Sequence, residues 1–253
     1  MKALYSLSIL AAAVALLVVS VPAHAATKMD SRIESSARQS YVFKTYLKGD
    51  DIKIQSRNGA VTLTGVVAES FHKSLARDTV SGLPGVKSVD NRLGVRDAPP
   101  TANSDAWLQN KVKVTLMFHR SVNAAKTEVD VKDGVVTLRG DVASQSQKEL
   151  TAEFAKDVEG VIAVKNEMTV SNSPNKAPRT MGEKVDDASI TAQVKMSLLS
   201  HRSTSVLNTT VKTKRGVVTL SGIAKNAAEK DLVGKLATDI TGVKSVRNLM
   251  TIQ

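Results

Sequence analysis

Beyond the first twenty-five residues the chain has only three histidines, His72, His119 and His201, and it has no cysteine at all. Without thiols there is no Cys nucleophile, no disulfide, no thiolate metal site and no N-terminal cysteine to acylate. No Gly-x-Ser-x-Gly elbow accompanies the histidines, and no two of them stand at the helical spacing a metal would need. Neither a phosphate-cradling P-loop nor a dinucleotide fingerprint occurs. His119-Arg120-Ser121 and His201-Arg202-Ser203 fall at one repeat position, where the first copy has Lys44-Thr45-Tyr46. This shared motif reads as a positively charged helix C-terminus, favoured by the helix dipole, and not as a nucleophile site. Gly82-Leu83-Pro84-Gly85 has the spacing of a nucleic-acid-binding KH loop. It stands before a strand instead of between two helices, and the other copies lack its first glycine, so it reads as a turn. The sequence therefore predicts no catalysis, no metal and no cofactor.

Charge carries what remains. Lys and Arg outnumber Asp and Glu by 35 to 24 in 253 residues, a formal net charge of +11. Such a balance favours anionic partners. Aromatic residues make up only 3% of the chain, so its cores must be aliphatic, which suits several small sheets better than one deep aromatic pocket. The compartment is set by the N-terminus. Met1-Lys2 supplies a basic start, Ile9 to Val19 is an unbroken apolar run, and Ala23-His24-Ala25 presents small residues to a signal peptidase. An apolar run of that length falls short of the roughly 20 residues of a bilayer span. Residues 1–25 thus read as a signal peptide cleaved after Ala25, and the mature chain is expected in the periplasm with no transmembrane span. Export also argues against nucleic acid as the partner.

The elements that position these charges come from an internal repeat. Asn58-Gly-Ala-Val-Thr-Leu-Thr-Gly65, Asp133-Gly-Val-Val-Thr-Leu-Arg-Gly140 and Arg215-Gly-Val-Val-Thr-Leu-Ser-Gly222 share one pattern. A second anchor follows each at the same distance: Gly85-Val-Lys-Ser-Val-Asp-Asn, Gly160-Val-Ile-Ala-Val-Lys-Asn and Gly242-Val-Lys-Ser-Val-Arg-Asn. The units are residues 30–95, 105–170 and 187–252, joined by linkers 96–104 and 171–186 that carry Pro99-Pro100, and Pro174 with Pro178. Asp30, Asp105 and Asp187 are the expected N-caps of a first helix whose apolar residues recur every four positions. A short alternating stretch, an Asn-Gly, Asp-Gly or Arg-Gly turn and the Val-Thr-Leu strand then make a hairpin. A second helix and a last strand complete an α-β-β-α-β order. The fold class is α+β: three tandem small modules, each with two helices on one face of a three-stranded sheet and the other face open.

The repeated Gly-x-Val-Thr-Leu-x-Gly, the fixed gap and the closing Gly-Val-x-x-Val-x-Asn resemble the BON domain (bacterial OsmY and nodulation), over essentially all of residues 30–252. Three such units behind a signal peptide are similar to the OsmY-like periplasmic branch of that family. The resemblance implies a non-enzymatic binding module of the bacterial envelope, linked to osmotic stress, to attachment at phospholipid membranes and to periplasmic chaperoning. Gly59, Gly134 and Gly216 are expected at hairpin turns, and Gly65, Gly85, Gly140, Gly160, Gly222 and Gly242 at corners between elements, so all nine read as structural. Asn91, Asn166 and Asn248 lie in the last strand, where a backbone-bonding amide is expected.

The units differ most in charge. The first has 10 basic and 7 acidic residues, the second 9 and 10, the third 10 and 4. Strand alternation puts Lys212, Lys214 and Arg247 on the open sheet face of unit three. These three, with Trp107 and Phe118 as interfacial aromatic anchors, are the candidate lipid-binding residues; for each of the two aromatics the other reading is a partly buried core role. The expected function is attachment to anionic phospholipid surfaces under osmotic or envelope stress; the alternative is a periplasmic chaperone or scaffold for envelope proteins.

Overall fold

In the computed structural model the described residues are 28–97, 100–122, 124–171, 184–201, 203–204 and 208–253. Cleavage after Ala25, and most of the second linker, lie outside them. Unit one runs α1 (Lys28–Gln39), α2 (Tyr41–Thr45), β1 (Asp51–Arg57), β2 (Ala60–Val67), α3 (Ser70–Ser81) and β3 (Ser88–Val95). Unit two has α4 (Asp105–Phe118), β4 (Thr127–Lys132), β5 (Val135–Val142), α5 (Gln145–Lys156), β6 (Ala163–Asn166) and β7 (Thr169–Val170). Unit three repeats it with α6 (Asp187–Ser200), β8 (Thr209–Lys214), β9 (Val217–Ala224), α7 (Ala227–Thr238), β10 (Ser245–Asn248) and β11 (Thr251–Ile252). In each unit the hairpin pairs antiparallel and the last strand adds in parallel to the central one.

The expected α+β modules are present, and details of their local chemistry depart from expectation. The N-cap of α4 is Ser104 and that of α6 is Asp186, one residue before the aspartates the pattern pointed to. Asp30, Asp105 and Asp187 instead sit in the first helical turn and reach across to the hairpin. Their carboxylates accept the turn amides of Asn58 and Gly59 (3.0 Å each), Asp133 and Gly134 (2.7 and 2.9 Å), and Arg215 and Gly216 (2.6 and 2.7 Å). Both central residues of each turn have positive φ, 52° and 83° at Asn58-Gly59, so two adjacent amides point the same way and one carboxylate satisfies both. Gly65, Gly140 and Gly222 are not at corners; they lie within the central strand, paired with Ile52, Thr127 and Thr209. The last strand is continuous in unit one and interrupted after Asn166 and Asn248 in the other two, with both pieces pairing to the same central strand.

The three units pack together. In α6, eleven of fourteen residues are buried, including Ser189, Thr191, Gln193 and Ser197, because units one and two cover faces a solitary module would leave wet. The break between α1 and α2 serves this packing. Ser40 turns the chain out of the helix, and the fresh N-terminus of α2 points Tyr41 N at Asp186 Oδ2 (2.8 Å) and Val42 N at Ser189 Oγ (3.1 Å). Asp186 thus caps α6, through Ser189 N at 2.9 Å, and α2 of another unit at once. Gly82 closes the same seam, since a Cβ there would come within 3.2 Å of Ala188. A protease is expected to cut first within 96–104 and 171–186. Because the units share packed faces, the nicked fragments should still co-elute on gel filtration; separation on nicking would mean the inter-unit contacts do not hold in solution.

Candidate functional site

The open face of unit three is where the candidate cations converge. Across β9, Lys212 and Arg247 both pair with Thr219, from opposite sides, and Lys214 pairs with Val217 one step along. Strand spacing puts Lys212 and Arg247 about 10 Å apart and Lys212 and Lys214 about 7 Å apart along the chain. All three are exposed, and none has an acidic partner at ion-pair distance among the described residues. The opposite face of the same strands buries Val211, Val218, Leu220 and Met250 under α6 and α7, so the lysines have only the solvent side to occupy. Toward the far end of the open face stand two exposed apolar residues, Ile223 and Leu249, 51% and 63% accessible. The face therefore grades from cations at the hairpin end, through Thr219 and Ser221, to aliphatic side chains.

The equivalent faces of the other units do not share this character. Unit one mixes Lys53, Arg57 and Arg92 with Asp51 and Asp90, and Arg92 is engaged by Asp90 at 2.7 Å. Unit two presents Glu128, Asp130 and Asp141 beside Lys132, Arg139 and Lys165, with Arg139 held by Glu167 at 2.9 Å. The positions of Ile223 and Leu249 are occupied by Asp141 and Glu167 in unit two, and by Val66 and Arg92 in unit one. Strand alternation marks the three cations in the sequence, whereas Ile223 and Leu249 stand out only against unit two, where both positions are acidic.

The aromatic candidates part company. Trp107 is half-buried on α4, with Lys111 Nζ 4.7 Å from its ring centroid and Lys111 in turn bound to Glu159 at 3.0 Å. Phe118 is fully buried at the junction of all three units, edge-on to Tyr46 at 5.3 Å, so it has no surface to offer a bilayer. Neither stands on the face that carries Lys212, Lys214 and Arg247. Burial, with Tyr41 alongside, pushes the Tyr46 phenol up.

The recurrent residues are structural. Asn91, Asn166 and Asn248 each donate to a carbonyl of the second helix, Lys73, Lys148 and Lys230, at 2.6–2.8 Å, and accept the amide two residues on. His72 binds Asp50 through Nδ1 at 2.6 Å, and Asp50 accepts the Ala68 amide. Gln147 and Glu229 take the equivalent amides, Ala143 and Lys225, directly. Three anchored α-β-β-α-β units with one carboxylate clasp and one asparagine stitch each are a single module used three times, and the family model described as "BON domain" matches residues 29–97, 104–172 and 186–253. The chain belongs to the BON-domain family.

Relatives of this BON protein are informative. Osmotically-inducible protein Y of Escherichia coli is 31% identical over 200 residues, 78% of this chain and 95% of that protein. Outer membrane lipoprotein DolP of Haemophilus influenzae is 35% identical over 108 residues, 42% of this chain and 55% of its own length. The solved structure of CdsD, a structural protein of the type III secretion system of Chlamydia trachomatis, aligns over 87% of this chain and 90% of its own at 17% identity, with a TM-score of 0.25. Among the described residues no three His, Asp or Glu gather as a metal site would require, and no helix is long and apolar enough to cross a membrane.

The His-Arg-Ser motifs of the second and third BON units do more than terminate helices. His119, at the end of α4, pairs its backbone with Ile240 of unit three, and His201, at the end of α6, pairs with Val158 of unit two. His119 Nδ1 lies 3.0 Å from Asp239 Oδ2, Ser121 Oγ donates to the other oxygen, and the Arg120 guanidinium stands 3.5 Å away. On the reciprocal side His201 Nε2 is 3.4 Å from Asp157 Oδ2. Unit one has Lys44-Thr45-Tyr46 and Gly82 at these positions, and so has neither half of the exchange.

Proposed function

We propose that this chain is an exported, non-catalytic binding protein of the bacterial envelope that docks on anionic phospholipid surfaces, under osmotic stress, through the open sheet face of its third BON unit. The observation that carries the reading is that face itself: Lys212, Lys214 and Arg247 without an acidic neighbour on their strands, graded into exposed Ile223 and Leu249. Lysine and arginine beside an anionic leaflet each contribute about 1 kcal/mol, and the aliphatic end adds contact that salt does not screen. An osmotically induced relative and an outer membrane lipoprotein among the relatives support an envelope setting. The second candidate role, a chaperone or scaffold for envelope proteins, is the one that gains if lipid fails.

Flotation with phosphatidylglycerol-containing vesicles at low and high salt, run beside an aggregation-suppression assay, tests this. Replacing Lys212, Lys214 and Arg247 together with Glu should weaken binding about tenfold or more, and high salt should release much of the wild type, because the attraction decays over a Debye length of about 8 Å. Equal flotation of the two proteins, or binding indifferent to lipid charge, sinks docking on anionic lipid through these cations.

A further inference from the structure

The reciprocal contact between units two and three is built from groups that do not help their own helices. Asp157 and Asp239 are the C-cap residues of α5 and α7. A carboxylate at a helix C-terminus faces the negative end of the dipole, an unfavourable place worth some tenths of a kcal/mol to 1 kcal/mol. Each is met by groups of the other unit: His119, Arg120 and Ser121 at Asp239, and the His201 ring, 3.4 Å away, at Asp157. Behind them lies apolar surface. Phe118 and Val114 of unit two join the core of units one and three, Ile240 is fully buried, and Phe154 stacks on the His119 ring at 3.8 Å while touching both cores.

We propose that this junction is an acid-released latch: when the Asp239 carboxylate takes up a proton, units two and three part, uncovering Val114, Phe118, Phe154 and Ile240 while each unit keeps its own fold. The physical reason is donor crowding. Ionised Asp239 is acceptor-only and satisfies three donors at once; a protonated carboxyl must place a hydrogen among them and no longer offsets the Arg120 charge. The other charged groups beside it are Asp231 and Lys235 of α7, which line a groove of about 500 Å³ together with Asp239 and with Arg120 of unit two. At the reciprocal site Asp157 faces His201. Burial pushes the Asp239 carboxyl up, but hydrogen bonds from His119 and Ser121 and the charges of His119 and Arg120 more than offset this and hold it below the ordinary range. With the folded value depressed, the latch contributes stability above the ordinary carboxyl range near pH 4 and loses it as pH falls through the lower, folded value.

The experiment is small-angle scattering, dye binding to exposed apolar surface and far-ultraviolet circular dichroism on the full chain from pH 7 to pH 2, with Asp157→Asn/Asp239→Asn as the test variant and Asp90→Asn, on the exposed Asp90–Arg92 ion pair of unit one, as the control. The wild type should expand and bind dye severalfold more strongly below about pH 4 while its helical signal persists. The double variant should be expanded and dye-binding already at pH 7, and the control should follow the wild type. A double variant as compact as the wild type at pH 7 would overturn the latch. So would one that has lost its secondary structure, or a wild type that stays compact until its helical signal disappears.

Discussion

Gly222→Ala is expected to destabilise the protein by about 3 kcal/mol or more, read as a fall in the urea midpoint at unchanged slope. Gly222 has φ of 127°, a conformation that costs an alanine, and its missing Cβ would point straight at the Asn208 carbonyl oxygen, well inside contact distance. That oxygen belongs to backbone entering β8, so it cannot swing away as a side-chain tip could. Gly65 meets Asp51 and Gly140 meets Lys126 in the same manner, so the corresponding substitutions in units one and two should cost similar amounts. Gly49 is the control. Nothing lies within 4 Å of a Cβ built there, and alanine at Gly49 should be neutral or slightly stabilising. A Gly222→Ala protein of wild-type stability would mean that β8 and β9 slide to relieve the contact, and that the glycine is not a fixed requirement of the hairpin.

Much of a single module could be read from the residues, because a module is local. The Asn-Gly and Asp-Gly turns, the period-two strands and the order of elements all follow from short-range chemistry, and three copies repeat the same signal. Alternation alone also placed Lys212, Lys214 and Arg247 on one face. What failed to read was contact across distance. Asp30, Asp105 and Asp187 look like caps because capping is the usual work of an aspartate at a helix start; their turn amides lie 28 and 29 residues away. His119-Arg120-Ser121 is a helix terminus to a reader of one unit and a clasp to a reader of two. Between Asp187 and Ser200 the only other charged residue is Lys195, so α6 lacks the polar face a surface helix needs, and burial on several sides was the physical implication. In α5 the apolar Leu150 is 38% exposed, while Thr151 and Ala155 are the residues that are buried.

Phe118→Ala is the second large effect, and it separates two roles for an aromatic in a chain that has few. The ring is fully buried, packs edge-on to Tyr46 of unit one and joins the core of unit three, so its removal opens a cavity where three units meet and none can easily close over it. Truncating such a residue costs about 3–5 kcal/mol, close to the largest values seen for single core positions. Trp107→Ala, at a half-buried ring covered by Lys111, should cost distinctly less. Chemical unfolding followed by circular dichroism measures both. At temperatures where the Phe118→Ala protein remains folded, its flotation with phosphatidylglycerol vesicles should match the wild type, because the ring lies away from the face that holds Lys212, Lys214 and Arg247. A folded Phe118→Ala protein that no longer floats would return Phe118 to the lipid surface and require the junction to open before the membrane is met. A small stability loss would instead mean that units one and three do not rest on unit two as they do here.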